Sequence, residues 1–502
     1  MFPHLAKKIF KCRVARIFLF LEVNVCGIAG IFNVSDSETL VAELLFSIQH
    51  RGQESCGLAA RNERGNIFCY KGMGLVKNVL TEEILKKYSG NIAIGHVRYP
   101  TAGKSDETNS QPHVIELPEG PHLAICSNGD IINYYELRTW LENDYGFTFK
   151  SDNDGELIGR LIAFYLLHKK LSIEDSIIEA QKQLKGAFSS ILIYRDKMFG
   201  FRDPHGYRPY VIGTLDDEAD LNGEIPSEGV VLASESCAFG IVGARMIREM
   251  RPGEIIRLEK GKPMVTVAVN AGKTQHCVFE LIYFSRPDTK VFGEKVYDVR
   301  KKIGAQLADY DKNMGFGDDT VVMAVPDSSN FVALGYAQSA KLSFDMGLLR
   351  NHYVGRTFTK PDQKQRDEGV RHKFNPLPDF FEGKKVVLVD DSIVRGTTLR
   401  KITRMLRNAG AKEIHIRIGS PKVIGSCYYG IDTPTKNELI AAVKSHDEIC
   451  EYLGADSLKH IEIADFGKIL HKFEDFCFAC FNLEYQYKPE DYHQKVNRPD
   501  AK

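Results

Sequence analysis

The run Val386-Val387-Leu388-Val389-Asp390-Asp391 restricts the fold of this chain more than any other stretch. Its four apolar residues suit a strand buried on both faces, which is how strands of parallel sheets read. The run stops at two carboxylates and continues as Ser392-Ile393-Val394-Arg395-Gly396-Thr397-Thr398. A helical pattern follows, TLRKITRMLRNAG, with Gly410 suited to its C-cap. The surroundings keep the same rhythm. Helix-like KVYDVRKKIGAQLADY precedes the strand TVVMAVP, helix-like FVALGYAQSAK comes next, and strand EIHIRIGS closes the series. Strands alternating with helices predict a parallel sheet covered on both faces.

A strand, a short glycine- and hydroxyl-bearing loop and a helix N-terminus form an anion site. Backbone N–H groups point outward there, and the helix dipole favours negative charge. Two carboxylates at the strand's C-terminal end suit sugar hydroxyls or a hard cation, and ligands of open α/β sheets sit at that end. The segment VVLVDDSIVRGTTL resembles the signature of type I phosphoribosyltransferases, which bind 5-phosphoribosyl diphosphate (PRPP). The resemblance implies that Asp390 and Asp391 hold the ribose hydroxyls and help to place Mg²⁺. It implies that Ser392, Val394, Arg395, Gly396, Thr397 and Thr398 wrap the 5-phosphate. Ser329, in Val325-Pro326-Asp327-Ser328-Ser329, matches the loop on the metal and diphosphate side. Asp327-Ser328-Ser329 stands where many relatives have Glu-Thr-Ser.

The first half is richer in strands. CGIAGIF, NIAIGHVRY, HLAICSN, FSSILIYRD and KMFGFRD read as strands, and LVAELLFSIQHRG as a helix. Along it lie Cys26-Gly27-Ile28-Ala29-Gly30, His50-Arg51-Gly52-Gln53-Glu54-Ser55, His96-Val97-Arg98-Tyr99-Pro100, Ser127-Asn128-Gly129-Asp130 and Asp152-Asn153-Asp154-Gly155-Glu156. In order and spacing these resemble the class II glutamine amidotransferases. That implies an N-terminal-nucleophile fold, two sheets sandwiched between helices (αββα). It further implies Cys26 as nucleophile, Asn128 and Gly129 as oxyanion hole, Arg98 on the glutamine carboxylate and Asp154 on its ammonium. Ser127 and Asp130 depart from the usual His-Asn-Gly-Asn while keeping its central pair.

A thiol with a pKa of about 8.5 is only slightly ionised at neutral pH. If Cys26 is the mature N-terminus, its own α-amine, with a pKa of about 7.7–8, serves as general base. Residues 1–25 would then be cleaved or never made. Their five basic residues face one acid, Glu22. A targeting peptide is the competing reading, although no small-residue cleavage site is evident. Translation beginning at the Val25 codon is the specific expectation.

The two halves have one joint reading: glutamine yields ammonia, and ammonia displaces diphosphate from PRPP to give 5-phosphoribosylamine. The chain from Cys26 to about residue 482 resembles the amidophosphoribosyltransferase family, which opens purine synthesis. That resemblance implies a homotetramer inhibited by purine nucleotides. It also implies a flexible active-site loop around Tyr353-Val354-Gly355-Arg356 and Val370-Arg371-His372-Lys373. Arg202-Asp203-Pro204-His205-Gly206 and Ser234-Glu235-Ser236-Cys237 fit the glutaminase half. A PRPP- or nucleotide-binding regulatory paralogue is the alternative, given the departures at Ser127, Asp130, Asp327 and His352. The expected organisation is a leader (1–25), a glutaminase domain (26–260), a phosphoribosyltransferase domain (275–470) and a tail (471–502). The Gly/Pro/Lys-rich piece from Arg251 to Lys273 is the expected boundary.

Cysteine usage adds a cofactor. Eleven cysteines, an odd number, argue against a disulfide framework and for a reducing compartment, hence the cytoplasm. Cys477 and Cys480 form a C-x-x-C pair. With Cys277 and Cys427 they resemble the ligands of the family's iron–sulfur subgroup, implying a [4Fe–4S] cluster. Zinc, or four unlinked buried thiols, are the other readings. Cys12, Cys56, Cys69, Cys126, Cys237 and Cys450 are read as ordinary cysteines. Lys+Arg and Asp+Glu both number 66, so no cationic field exists to hold nucleic acid. The apolar run Ile17–Leu21 is far too short to cross a membrane.

Overall fold

The computed structural model describes residues 25–62, 64–99, 105–118, 120–216, 225, 227–351 and 374–487. The leader, apart from Val25, and the expected active-site loop, including His352, lie outside the described residues.

The first unit is built from two antiparallel sheets. One has seven strands in the order Arg245–Glu249, Val211–Thr214, Val230–Ala233, Gly27–Phe32, Ile92–Arg98, Ser55–Arg61, Ile67–Met73. The other has six, in the order Val265–Val269, Glu254–Glu259, Lys197–Arg202, Gly186–Tyr194, Gly120–Ile131, His113–Leu117. Ile28, Phe32, Ile94, Ala124, Ile191 and Met198 pack between the sheets. Helix Ser37–Ser47 covers the outer face of the first sheet through Val41, Leu44 and Leu45. Helices Tyr134–Tyr145, Asp154–Leu167 and Ile173–Gln183 cover the second through Leu141, Leu161 and Ile177. This is the expected αββα layering.

The expected boundary is corrected. Arg251–Lys273 is not a linker, because it carries two strands of the six-stranded sheet, with Ile255 paired to Ala268 and to Phe201. Its glycines mark turns: Gly253 and Gly261 have φ of 69° and 73°. Glycine and proline punctuate hairpin turns and linkers alike, and here they mark turns within the sheet. The helix expected over LVAELLFSIQHRG starts earlier and stops at Ser47, and the Gln49 side chain beyond it accepts a hydrogen bond from Val76 N at 2.7 Å.

The second unit centres on a five-stranded sheet, parallel throughout, in the order Ser343–Phe344, Thr320–Ala324, Lys385–Asp390, Glu413–Ile418, Ser457–His460. Lys385–Asp390 is the central strand, and Val386 to Val389 are fully buried. Each such side chain contributes about 1.5–3 kcal/mol on burial. Val387 and Val389 enter one core with helices Val296–Asp309 and Asn330–Ala340. Val386 and Leu388 enter another with helix Thr397–Asn408. The strand therefore alternates between two apolar faces, and its polar C-terminal tip is where chemistry is possible.

Candidate active site

Strand order fixes the first constellation. Gly27–Phe32 runs antiparallel to Ile92–Arg98 with Gly27 opposite Val97, so Cys26 lies beside Arg98 and Tyr99. The Cys26 thiol points to Tyr99 O at 3.7 Å, and its own carbonyl accepts from Arg51 Nε at 2.9 Å. Cys26, Arg98, Gln111, Gly129, Asn153 and Asp154 line one cleft. Four predicted residues thus come together. Burial pushes the Cys26 thiol up, with the hydrogen bond to Tyr99 O and the Arg98 charge opposing.

Asn128, the fifth, is fully buried beside the cleft, and neither its amide nitrogen nor its carbonyl oxygen has a hydrogen-bond partner. An unmet buried amide costs about 1–3 kcal/mol, so its retention points to a ligand. Its backbone is held firmly. Gln111, an unpredicted residue, donates to Ser127 O at 2.9 Å and accepts from Ser127 N at 2.7 Å. The Ser127 hydroxyl accepts from Ser190 across the sheet at 2.8 Å. Gly129 has no room for a side chain, since a Cβ there would lie 1.8 Å from Ala187 O.

Asp154 opens helix Asp154–Leu167, where Asn153 caps the amide of Gly155 at 2.8 Å. The Asp154 carboxylate accepts from Ile131 N at 3.0 Å. Arg98 Nη1 donates to Glu54 at 2.7 Å, which fixes the guanidinium at the cleft wall. Nearby His96 is driven down to about 3 by burial and by Arg98, so it is neutral.

At the tip of Lys385–Asp390 the second constellation forms. The Ser329 hydroxyl lies 3.0 Å from Asp390 Oδ1 and 3.3 Å from Asp391 Oδ2. Ser328 donates to Asp391 at 2.5 Å, and Ser392 at 2.9 Å. Burial raises the Asp391 carboxyl, although Ser328, Ser392 and Arg300 pull the other way. Gly396 precedes helix Thr397–Asn408 with φ of 71°, a left-handed value that favours glycine. Thr397 and Thr398 supply the helix's first turn, and Arg395 reaches Glu438. Asp327 pairs with Arg350 at 3.0 Å.

The third constellation is a small cavity lined by Cys277, Cys427, Cys477 and Cys480. Parallel pairing sets Cys277 directly against Cys477. Cys480 O accepts from both Ile424 N and Gly425 N at 3.0 Å, anchoring the tail next to Cys427. Burial raises all four thiols, Cys427 to about 11. Arg208, fully buried on the cavity wall, has no partner for Nε or Nη2. Among the described residues no three His, Cys, Asp or Glu converge as a metal site, and every described cysteine is free.

A buried ion network joins the constellations. Glu280 accepts from Arg51 at 2.8 and 3.0 Å, from Arg208 at 3.2 Å and from Ser285 at 2.9 Å. Arg300 donates to Ser285 O at 2.8 Å and faces Asp391. Glu235 accepts from Arg51 at 2.5 Å and lies 2.9 Å from His50. These two hold its carboxyl far below the usual range despite burial.

The comparisons agree with the geometry. Residues 96–227 match a glutamine amidotransferase domain and 294–418 a phosphoribosyl transferase domain. The chain is 43% identical over 476 residues to amidophosphoribosyltransferase 2, chloroplastic, of Arabidopsis thaliana, covering 94% of this chain and 81% of that one. It is 40% identical to the amidophosphoribosyltransferase of Methanocaldococcus jannaschii, covering 92% and 97%. Among solved structures it superposes on glutamine PRPP amidotransferase from B. subtilis, complexed with ADP and GMP, with a TM-score of 0.82 and 36% identity. That match covers 92% of this chain and 98% of the other. A structure described as the allosteric regulatory enzyme of purine biosynthesis gives a TM-score of 0.83 at 38% identity, covering 92% and 96%. No helix among the described residues is long and apolar enough to cross a membrane.

Proposed function

The chain belongs to the amidophosphoribosyltransferase family, and on that premise we propose how its residues divide the work. The reaction hydrolyses glutamine to glutamate and ammonia, then transfers the ammonia to PRPP, releasing diphosphate and 5-phosphoribosylamine for purine synthesis.

In the glutaminase half the Cys26 thiolate attacks the glutamine amide. The oxyanion that develops is taken by the Asn128 amide and the Gly129 N–H. Arg98 clamps the substrate carboxylate and Asp154 its ammonium. The observation that carries this reading is Asn128: a buried amide without partners, beside a cleft that also holds Cys26, Arg98 and Asp154. No histidine or lysine lines that cleft among the described residues, which favours the Cys26 α-amine as base in a chain that begins there.

In the transferase half Asp390 and Asp391 hold the ribose hydroxyls, and the segment from Ser392 to Thr398 takes the 5-phosphate on the helix N-terminus. Ser329 with the two carboxylates would hold Mg²⁺, which supplies charge neutralisation of the diphosphate leaving group. The hydroxyl of Ser329 already bridges both carboxylates, which supports that ligand set.

Four thiols around one cavity support a [4Fe–4S] cluster over zinc. A single ion needs its ligands converged on one point, whereas a cluster takes one thiolate per iron. The unpartnered Arg208 donors fit an anionic occupant. We place the protein in the cytoplasm on its free cysteines. Feedback by purine nucleotides follows the relative bound to ADP and GMP, and a homotetramer follows the resemblance alone. The direct test is release of glutamate and diphosphate by purified protein given glutamine, PRPP and Mg²⁺. Neither product at saturating substrates would overturn the assignment.

A further inference from the structure

The four-thiol cavity has one cationic wall. Arg208 is fully buried, and its Nη1 is tethered to Glu280 at 3.2 Å. Glu280 cannot turn away, because Arg51 holds it at 2.8 and 3.0 Å and Ser285 at 2.9 Å. The tether fixes the plane of the Arg208 guanidinium. Its other donors, Nε and Nη2, have no partner, and Cys277 and Cys427 are the thiols that face it. A buried guanidinium with two unmet donors is unfavourable without acceptors beside it. The acceptors that Nε and Nη2 lack belong to a group inside the cavity that Arg208 lines. An iron–sulfur core ligated by four thiolates is a net anion with sulfur acceptors on its surface.

We propose that Arg208 is the counter-cation of that cluster, donating from Nε and Nη2 to its sulfur atoms and so slowing its oxidation by dioxygen. This rests on the four cysteines being cluster ligands. Hydrogen bonds and positive charge at the sulfurs favour the more electron-rich core. Oxidation passes one electron from the core to dioxygen, which leaves as superoxide. Removing the Arg208 charge makes that electron easier to lose.

The test uses the full chain purified without oxygen, as wild type, R208Q and R208K. Iron and sulfide are measured first. Loss of the cluster's visible absorption in air-saturated buffer and the Fe–S stretching bands in resonance Raman spectra follow. R208Q is expected to hold wild-type iron and sulfide, to bleach several-fold faster and to show shifted bands. R208K, which keeps the charge but lacks the Nε donor, is expected to shift the bands and bleach at an intermediate rate. Equal rates and superimposable bands at equal iron overturn the role of Arg208 and leave the cluster standing. Wild type without iron and sulfide overturns both. If R208Q fails to fold, R208K decides alone: bands identical to wild type overturn the proposal.

Discussion

Gly430 lies directly against the backbone of Gly129: a Cβ built on Gly430 would sit 2.9 Å from Gly129 Cα and 3.0 Å from its carbonyl carbon. Gly430 follows Cys427 by three residues, so the wall of the four-thiol cavity presses on the strand proposed to hold the oxyanion. Gly430 also has φ of 93°, a left-handed value that costs other residues about 1–2 kcal/mol. Gly430→Ala adds strain and pushes the Gly129 N–H out of place. Misplacement by about 1 Å costs up to roughly 10²-fold in rate. Glutamine-dependent turnover should fall by about ten- to a hundredfold, while synthesis from added ammonia stays near wild type. Parallel steady-state assays with the two nitrogen sources check this. An equal drop in both would place the damage elsewhere.

Asn128 separates catalysis from stability. Its side chain makes no hydrogen bond in the fold, so Asn128→Ala removes an unmet polar group rather than a contact. Truncations of that kind are near neutral for stability. Loss of an oxyanion donor typically costs about 10²–10³ in kcat. The expected variant melts within a few degrees of wild type and hydrolyses glutamine at least a hundredfold more slowly, as order of magnitude. A large loss of melting temperature would mean that Asn128 is structural.

The two half-reactions are separable on the same logic. Cys26→Ala should abolish glutamine use and retain ammonia-dependent formation of 5-phosphoribosylamine at raised pH, where free ammonia is abundant. Asp390→Asn should do the opposite to transfer, because Asp390 meets the Ser329 hydroxyl at 3.0 Å at the tip of the sheet. Diphosphate release from PRPP and ammonia measures both. If Cys26→Ala loses both activities with its fold intact, the division between halves is wrong.

What could be read from the sequence was local. Cys26, Asn128, Asp390 and the loop before Thr398 sit in short runs whose order and spacing carry the family resemblance, and the strand at 386–389 announces its own burial. Long-range partners leave no such mark. Glu280 reaches Arg51 across 229 positions, and the need for a second cation at Arg208 exists only after both are packed. Gln111 braces Ser127 from the bend that precedes strand His113–Leu117, 16 positions away, with no motif to single it out. Gly430 is one of 42 glycines until Gly129 is seen beside it. The strands inside Arg251–Lys273 were hidden by their turns, because glycine and proline punctuate hairpins and linkers alike.

Glu280 concentrates buried charge, and its removal tests how far the units depend on one another. Two arginines, Arg51 and Arg208, both fully buried, share its carboxylate. Deleting one partner of a buried ion pair costs about 3–5 kcal/mol, because the remaining charge is stranded. Glu280→Ala should lower the melting temperature markedly. Glu280→Gln, which keeps the acceptor oxygen and the shape, should lower it less. Calorimetry of the two variants decides, and equal melting of wild type and Glu280→Ala would show the network to be energetically silent.

Asp432 gives the protein a pH-dependent stability with a definite sign. Burial pushes its carboxyl up to about 7, with Glu438 adding to the rise and Arg395 opposing it. The folded chain therefore holds this proton more tightly than the unfolded chain, whose carboxyl titrates near 3.9. Between those values the native state binds more protons, so stability falls as pH rises from about 4 to about 7 and is level above that. Asp432→Asn mimics the protonated form and removes this part of the slope. At pH 8 the variant should exceed wild type by at most about 4 kcal/mol, with the difference vanishing near pH 4. Thermal unfolding midpoints of both proteins across that range are the measurement. A variant destabilised equally at every pH would show that the carboxylate is paired in the fold, contrary to its burial beside Glu438.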